Sequence, residues 1–389
     1  MIRDPSGHNL GDNFNMSSPT MGNISTRESP ARDSGNRVGR GALIAYLLAI
    51  LYASLNPFFG WHAPESIGLF SWPRYLNSFD VCLNVLAYMP LGGMVAAMWM
   101  RRRPRPDKTN AQLRALFQAV FAGFALSVLM ESLQTMLPGR VSSPVDLIAN
   151  TFGTFIGASA LVSSWGRKLL ARALRGRRVH FARGDESSWG LLLLGAWFFA
   201  QLNPVIPFFE AGHIVNPFDA AVAQTPYDLL ILLPQTVGIT LNVCGFSLFL
   251  SLLLHPGKRA ILSVLLILAL GFVIKVSTAS LMLKAPQMVG WLAPATVIGL
   301  SAGLLLFACF ARVGYRWRAF CTTLFIFAGG LMAKMASVYG AFDETLRLFN
   351  WPHGQLINFA SLTQWIHEIW PLLAFLLVAS IFVRHRESQ

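Results

Sequence analysis

Charge is scarce in this chain. Of its 389 residues only 13% are Asp, Glu, Lys or Arg, against 54% hydrophobic. With a mean hydropathy of +0.51, that balance excludes an ordinary soluble domain and indicates a polytopic membrane protein. Cysteine is scarcer still. Cys82, Cys244, Cys309 and Cys321 all fall in apolar runs and form no CxxC pair, which excludes a disulfide framework and a thiolate zinc site. The eight histidines show no metal-binding spacing; His62 near Glu65 and the pair His367-Glu368 are isolated. Phosphate loop, dinucleotide fingerprint and nucleophile elbow are all missing. No metal and no cofactor is expected.

Long hydrophobic runs, in contrast, are plentiful. Apolar spans occupy roughly 41–59, 79–100, 113–136, 144–165, 189–209, 228–254, 260–283, 290–311, 317–336 and 365–383. Each approaches the ~20 residues that a helix needs to cross the hydrocarbon core. The formal charge of +13 could suggest nucleic acid, but its distribution suggests a membrane. With ten crossings, 25 of the 31 Lys and Arg collect on the side of the termini, and only Arg74, Arg140, Lys284 and Arg347 lie opposite. That asymmetry predicts cytoplasmic termini. The basic runs Arg101–Arg105 and Arg167–Arg183 are expected to touch anionic lipid at most.

The expected fold is all-α, a transmembrane bundle of about ten helices. Residues 1–40 are polar and read as a disordered cytoplasmic tail. Residues 41–165 form a four-helix unit, 189–311 a second one, and 317–389 two further helices with an outer loop. Leu55-Asn56-Pro57 should end the first helix, because proline disfavours helix in the residue before it. Trp61, Trp72 and Tyr75 follow as interfacial anchors. Pro90 and the Gly92-Gly93 pair suggest a kink against a close neighbour, and Gly153 and Gly157 give a GxxxG face.

Polar residues are rare enough in these spans to need a reason. Spans two and four run inward and open with Asp80 and Asp146; Asn84 and Asn150 follow four residues on, one turn deeper on the same face. Span three runs outward and ends with Glu131 and Gln134, and Arg140 lies in the short connection to span four. These seven residues should therefore meet at the outer face. Bland alternatives exist for most of them. Ser143-Pro144-Val145-Asp146 is a capping box with proline at the first helical position. Asp80 follows Asn77 in a similar setting, and the asparagines could be interhelical glue. Glu131 is harder to dismiss, since a carboxylate at a helix C-terminus opposes the macrodipole; its structural alternative is an ion pair with Arg140. Lys275 and Lys334 are further charges within spans. Lys334 can snorkel, whereas Lys275 is deeper and could pair with Glu210 or Glu368.

The second unit reads as a worn copy of the first. Leu55-Asn56-Pro57 recurs as Leu202-Asn203-Pro204, and Leu83-Asn84-Val85 as Leu241-Asn242-Val243. Pro144, nine residues before Gly153, is matched by Pro294, nine before Gly303. In that alignment Thr296 stands for Asp146 and Ala279 for Glu131, so the copy keeps helices and loses the polar site.

Asp80-x3-Asn84, Pro90-Leu91-Gly92, Glu131-x2-Gln134, Arg140 and Asp146-x3-Asn150-x2-Gly153 together resemble the VanZ-like domain, over about residues 43–163. The resemblance implies a bacterial cytoplasmic-membrane protein linked in some members to lowered glycopeptide (teicoplanin) sensitivity. It brings no established chemistry. The expected function is binding, and in its stronger form processing, of a lipid-linked or sugar-bearing envelope molecule at the outer leaflet. Glu131 would then be the acid/base, Asp146 and Asp80 its assistants, and Asn84, Gln134, Arg140 and Asn150 the binding groups, with Arg140 holding a phosphate or carboxylate. Membrane lipid and a lipid-linked saccharide or glycopeptide are the expected partners, and nucleic acid is not. Two rivals stay open: a permease with Lys275 and Lys334 as coupling charges, and a scaffold for envelope enzymes.

Overall fold

The architecture comes from a computed structural model. It describes residues 30–56, 58–63, 78–102, 108–138, 140, 142–182, 184–204, 206, 208–209, 229–255, 260–284, 288, 292, 294–336 and 354–387. Among them are eleven helices and no strand: α1 (Pro30–Leu55), α2 (Ser78–Arg102), α3 (Lys108–Gln134), α4 (Pro144–Val162), α5 (Ser164–His180), α6 (Asp185–Ala200), α7 (Leu229–Leu253), α8 (Ala260–Met282), α9 (Pro294–Phe310), α10 (Tyr315–Ala336) and α11 (Gly354–Glu387). The fold is an all-α polytopic bundle.

Seven helices are long and apolar enough to cross a membrane: α1, α2, α3, α4, α7, α8 and α11. The remaining apolar runs of the sequence become shorter or more polar helices. With 16 and 17 residues, α6 and α9 reach only about 24–26 Å, short of a ~30 Å core. Helix α10 opens with Arg316 and Arg318. Two further differences concern the polar segments. Helix α1 starts at Pro30, inside the stretch expected to be a tail, because a helix nucleated in apolar sequence extends into its neighbours at little cost; residues 1–29 lie outside the described residues. The basic stretch after α4 is not a loop but helix α5.

In the first unit α2 packs most extensively on α4, and glycine is the reason. Gly92 lies against the Thr154 backbone, Gly153 against the Val85 backbone and Gly157 against the Met89 carbonyl. A Cβ at any of the three would strike main chain. Helix α2 runs on through Pro90. As its Leu-Asn-Pro sequence requires, α1 stops at Leu55, and it packs on both α2 and α3. Residues Phe58 to Ala63 then fold back over the end of α3, where the His62 amide donates to the Met136 carbonyl at 3.0 Å. Trp61 is exposed there; Trp72 and Tyr75 lie outside the described residues.

In the second half α7 is the central helix, between α9 and α10. Trp197, Phe208, Phe209, Phe246 and Trp370 form one aromatic cluster around it. The amine of Lys275 is completely buried. It donates to the carbonyls of Asn203 and Ile206. Glu368 is exposed and takes a hydrogen bond from Gln364 Nε2 at 3.1 Å. Glu210 and the Lys334 side chain lie outside the described residues.

Candidate functional site

Helix α3 carries the deepest carboxylate. Glu131 is 3% exposed, so it faces protein and not lipid. Its Oε2 accepts the backbone N–H of Ser143 at 2.9 Å, and the Ser142 hydroxyl bonds it as well. This changes the meaning of the capping box. The Ser143 hydroxyl does cap α4, accepting from the Val145 amide at 3.2 Å. The reciprocal half of a capping box is the acidic side chain reaching back to the N-cap amide. Here that amide is taken by Glu131 from another helix. Asp146 turns away and accepts instead from Asn84 Nδ2 at 2.7 Å.

Charge ties the rest together. Glu131 feels the charges of Asp146 and Arg140, and Asp146 feels that of Asp80. Carboxylates from α2, α3 and α4 therefore lie at one end of the unit. Asp80, Asn84, Arg140 and Asp146 are half-buried and form a rim; Glu131, Gln134 and Asn150 are buried and form a floor.

Two members face α1. Gln134 Nε2 donates to the Ser54 carbonyl at 3.0 Å. Arg140 Nη2 donates to the Asn56 carbonyl at 2.8 Å and the Ala53 carbonyl at 3.4 Å. These carbonyls lie at the C-terminal end of α1, and a cation suits the negative helix end. Burial pulls the Arg140 guanidinium below its usual range, and the Glu131 charge pulls it back up. Arg140 is thus a cap on α1 as well as the cation of the cluster.

Sequence reasoning missed a deeper layer. Asn150 Nδ2 donates to the Ser127 hydroxyl at 3.0 Å. The Tyr88 ring belongs to the same place, since it feels the Glu131 charge and borders Ser127. Asn150 Oδ1 is buried without a hydrogen-bond partner, a costly state away from water, and the buried Tyr88 hydroxyl lies beside that of Ser127. The signal was available: Tyr88 lies four residues after Asn84, and Ser127 four before Glu131, the same one-turn spacing that links Asp146 to Asn150. Among the described residues no group of three or more His, Cys, Asp or Glu is placed to hold a metal.

Chemically, the rim offers carboxylate acceptors, amides that donate and accept, and a guanidinium. Such a set suits hydroxyl-bearing or anionic groups. Residues 42–165, which contain every member of the cluster, match the VanZ/LLP1 family model. No curated protein and no solved structure matches the chain.

Proposed function

Taking residues 42–165 as a VanZ/LLP1 domain in a multi-pass membrane protein, we propose that its polar end faces the outer leaflet. There it binds a lipid-linked or sugar-bearing envelope molecule. The observation that carries this reading is Glu131. It is a buried carboxylate held by the Ser143 amide, with the half-buried Asp146 and Arg140 near enough for their charges to act on it. Burying a carboxylate in a membrane protein is costly unless it is paired or hydrated. The rim gives sugar hydroxyls Asp80, Asn84 and Asp146, and Arg140 a phosphate or carboxylate. In the processing form of the reading, Glu131 exchanges the proton, since its oxygen lies at the buried end where water is excluded. An altered glycopeptide sensitivity would follow from a change in such a surface molecule.

The test uses a strain whose envelope phenotype depends on this gene, complemented with Glu131→Gln or Asp146→Asn. Both variants should reach the membrane in normal amounts and lose most of the phenotype, with teicoplanin sensitivity as one readout. Full activity in both would remove the site. Loss of the Glu131→Gln protein itself would favour the scaffold rival. A permease predicts instead a site between the two halves, and the polar cluster lies at one end of one half.

A further inference from the structure

We infer that α5 is an interfacial helix with a binding face for anionic phospholipid headgroups. The inference does not rest on what the polar site binds.

The helix is set at a corner. Ser163 is at once the C-cap of α4, through its amide to the Ser159 carbonyl, and the N-cap of α5, its hydroxyl accepting from the Gly166 amide at 3.0 Å. Gly166 lies against the Ala160 carbonyl, where no Cβ fits. The chain therefore turns sharply at the end of a membrane-spanning helix and does not continue it. Asp146 marks the other end of α4, so α5 stands about 28 Å of helix away from the polar site. Its far end is tied to α7, by the Ala182 amide to the Leu253 carbonyl and the His255 amide to the His180 carbonyl, both at 2.9 Å. Arg177 bonds the Ser188 hydroxyl at the start of α6.

A helix pinned at both ends presents fixed faces. Lys168, Arg172, Arg175 and Arg178 are exposed, and their spacing of four, three and three residues places them in one row. Beside that row Trp165 and Leu169, four apart, are 68% and 49% exposed. Leu170 and Leu174 are half-buried. Helix α5 contains no acidic residue; Asp185 and Glu186 follow only in α6. A basic row beside an exposed tryptophan and leucine, at the end of a spanning helix, fits the level where acyl chains meet headgroups. An acidic protein or RNA would match the charge but not the apolar neighbours. The cationic face also orients the bundle, with α5 inside and Asp146 outside.

The experiment places the full-length protein in phosphatidylcholine bilayers containing a minor fraction of spin-labelled phosphatidylglycerol or spin-labelled phosphatidylcholine. The native protein should select phosphatidylglycerol severalfold at low salt and less at high salt. Removing Arg172, Arg175 and Arg178 together as glutamines should bring the selectivity near one. The single variants Arg172→Gln and Arg175→Gln, which leave the corner intact, should each give a partial loss and stand in if the triple variant does not fold. Native selectivity of one, or unchanged selectivity in the variants, overturns the inference. So does a face that prefers RNA or an acidic peptide to the lipid.

Discussion

Both halves of the protein set a glycine of one helix against a valine of its neighbour, but their polar contents differ. In the first unit Gly153 of α4 meets Val85 of α2; in the second, Gly303 of α9 meets Val243 of α7. Those four residues are the ones matched by the recurring Leu-Asn-Val and Pro-x8-Gly patterns. In both units a cation bonds the asparagine carbonyl at the end of Leu-Asn-Pro: Arg140 on Asn56, Lys275 on Asn203. On the alignment that sets Ala279 against Glu131, Lys275 stands where Ser127 does. We read the second half as a worn copy, in which Glu131 and Asp146 gave way to Ala279 and Thr296, both fully buried. The comparison teaches that the packing scaffold and the polar site are separable. On that reading the glycines hold the helices, and the first half keeps a polar site that the second has lost.

The strongest way to break this comparison is to wedge each glycine contact apart. Gly157→Leu drives a side chain onto the Met89 carbonyl and should cost about 3 kcal/mol or more. Gly303→Leu meets the Val243 side chain at 2.7 Å and the Thr240 carbonyl at 2.8 Å, which can yield further, and should cost less. Thermal unfolding in detergent ranks the two; the reverse order would show that the α7–α9 contact is the tighter one.

The two cations sharpen the comparison at a smaller scale. Lys275→Ala leaves two buried carbonyls without their donor and should destabilise by about 1–3 kcal/mol. Arg140→Ala exposes carbonyls at a half-buried rim that water can reach, so a loss of about 0.3–1 kcal/mol is expected, the ordinary range for a helix-end charge. Equal losses in denaturant titrations would mean that the Arg140 cap is as dry as the Lys275 one. The smallest effect should come from Tyr88→Phe. Its buried hydroxyl has the Ser127 hydroxyl beside it but no well-formed hydrogen bond, so its removal should change stability by no more than about 1 kcal/mol. A larger loss would reveal a buried water or substrate hydroxyl joining Tyr88 and Asn150.

Much of the site was legible in the chain. Asn84, Glu131 and Asp146 could be brought together on paper because helix period and span direction fix depth, and hydropathy fixes the spans. Partner choice was less legible. Asp146 was readable as a capping acid, and only the neighbouring helix shows that Glu131 takes the amide which the capping box would have used. The two carbonyls that the turn after α6 brings to Lys275 were not readable from spacing.

Local pattern thus determined the all-helical fold, the membrane setting and the level at which each polar residue sits, because those follow from spacing along one helix and from transfer out of water. Which groups bond to which was decided in three dimensions. A buried donor takes whichever acceptor the neighbouring helix supplies, and rotation of one helix against another is recorded nowhere in a single strand of sequence.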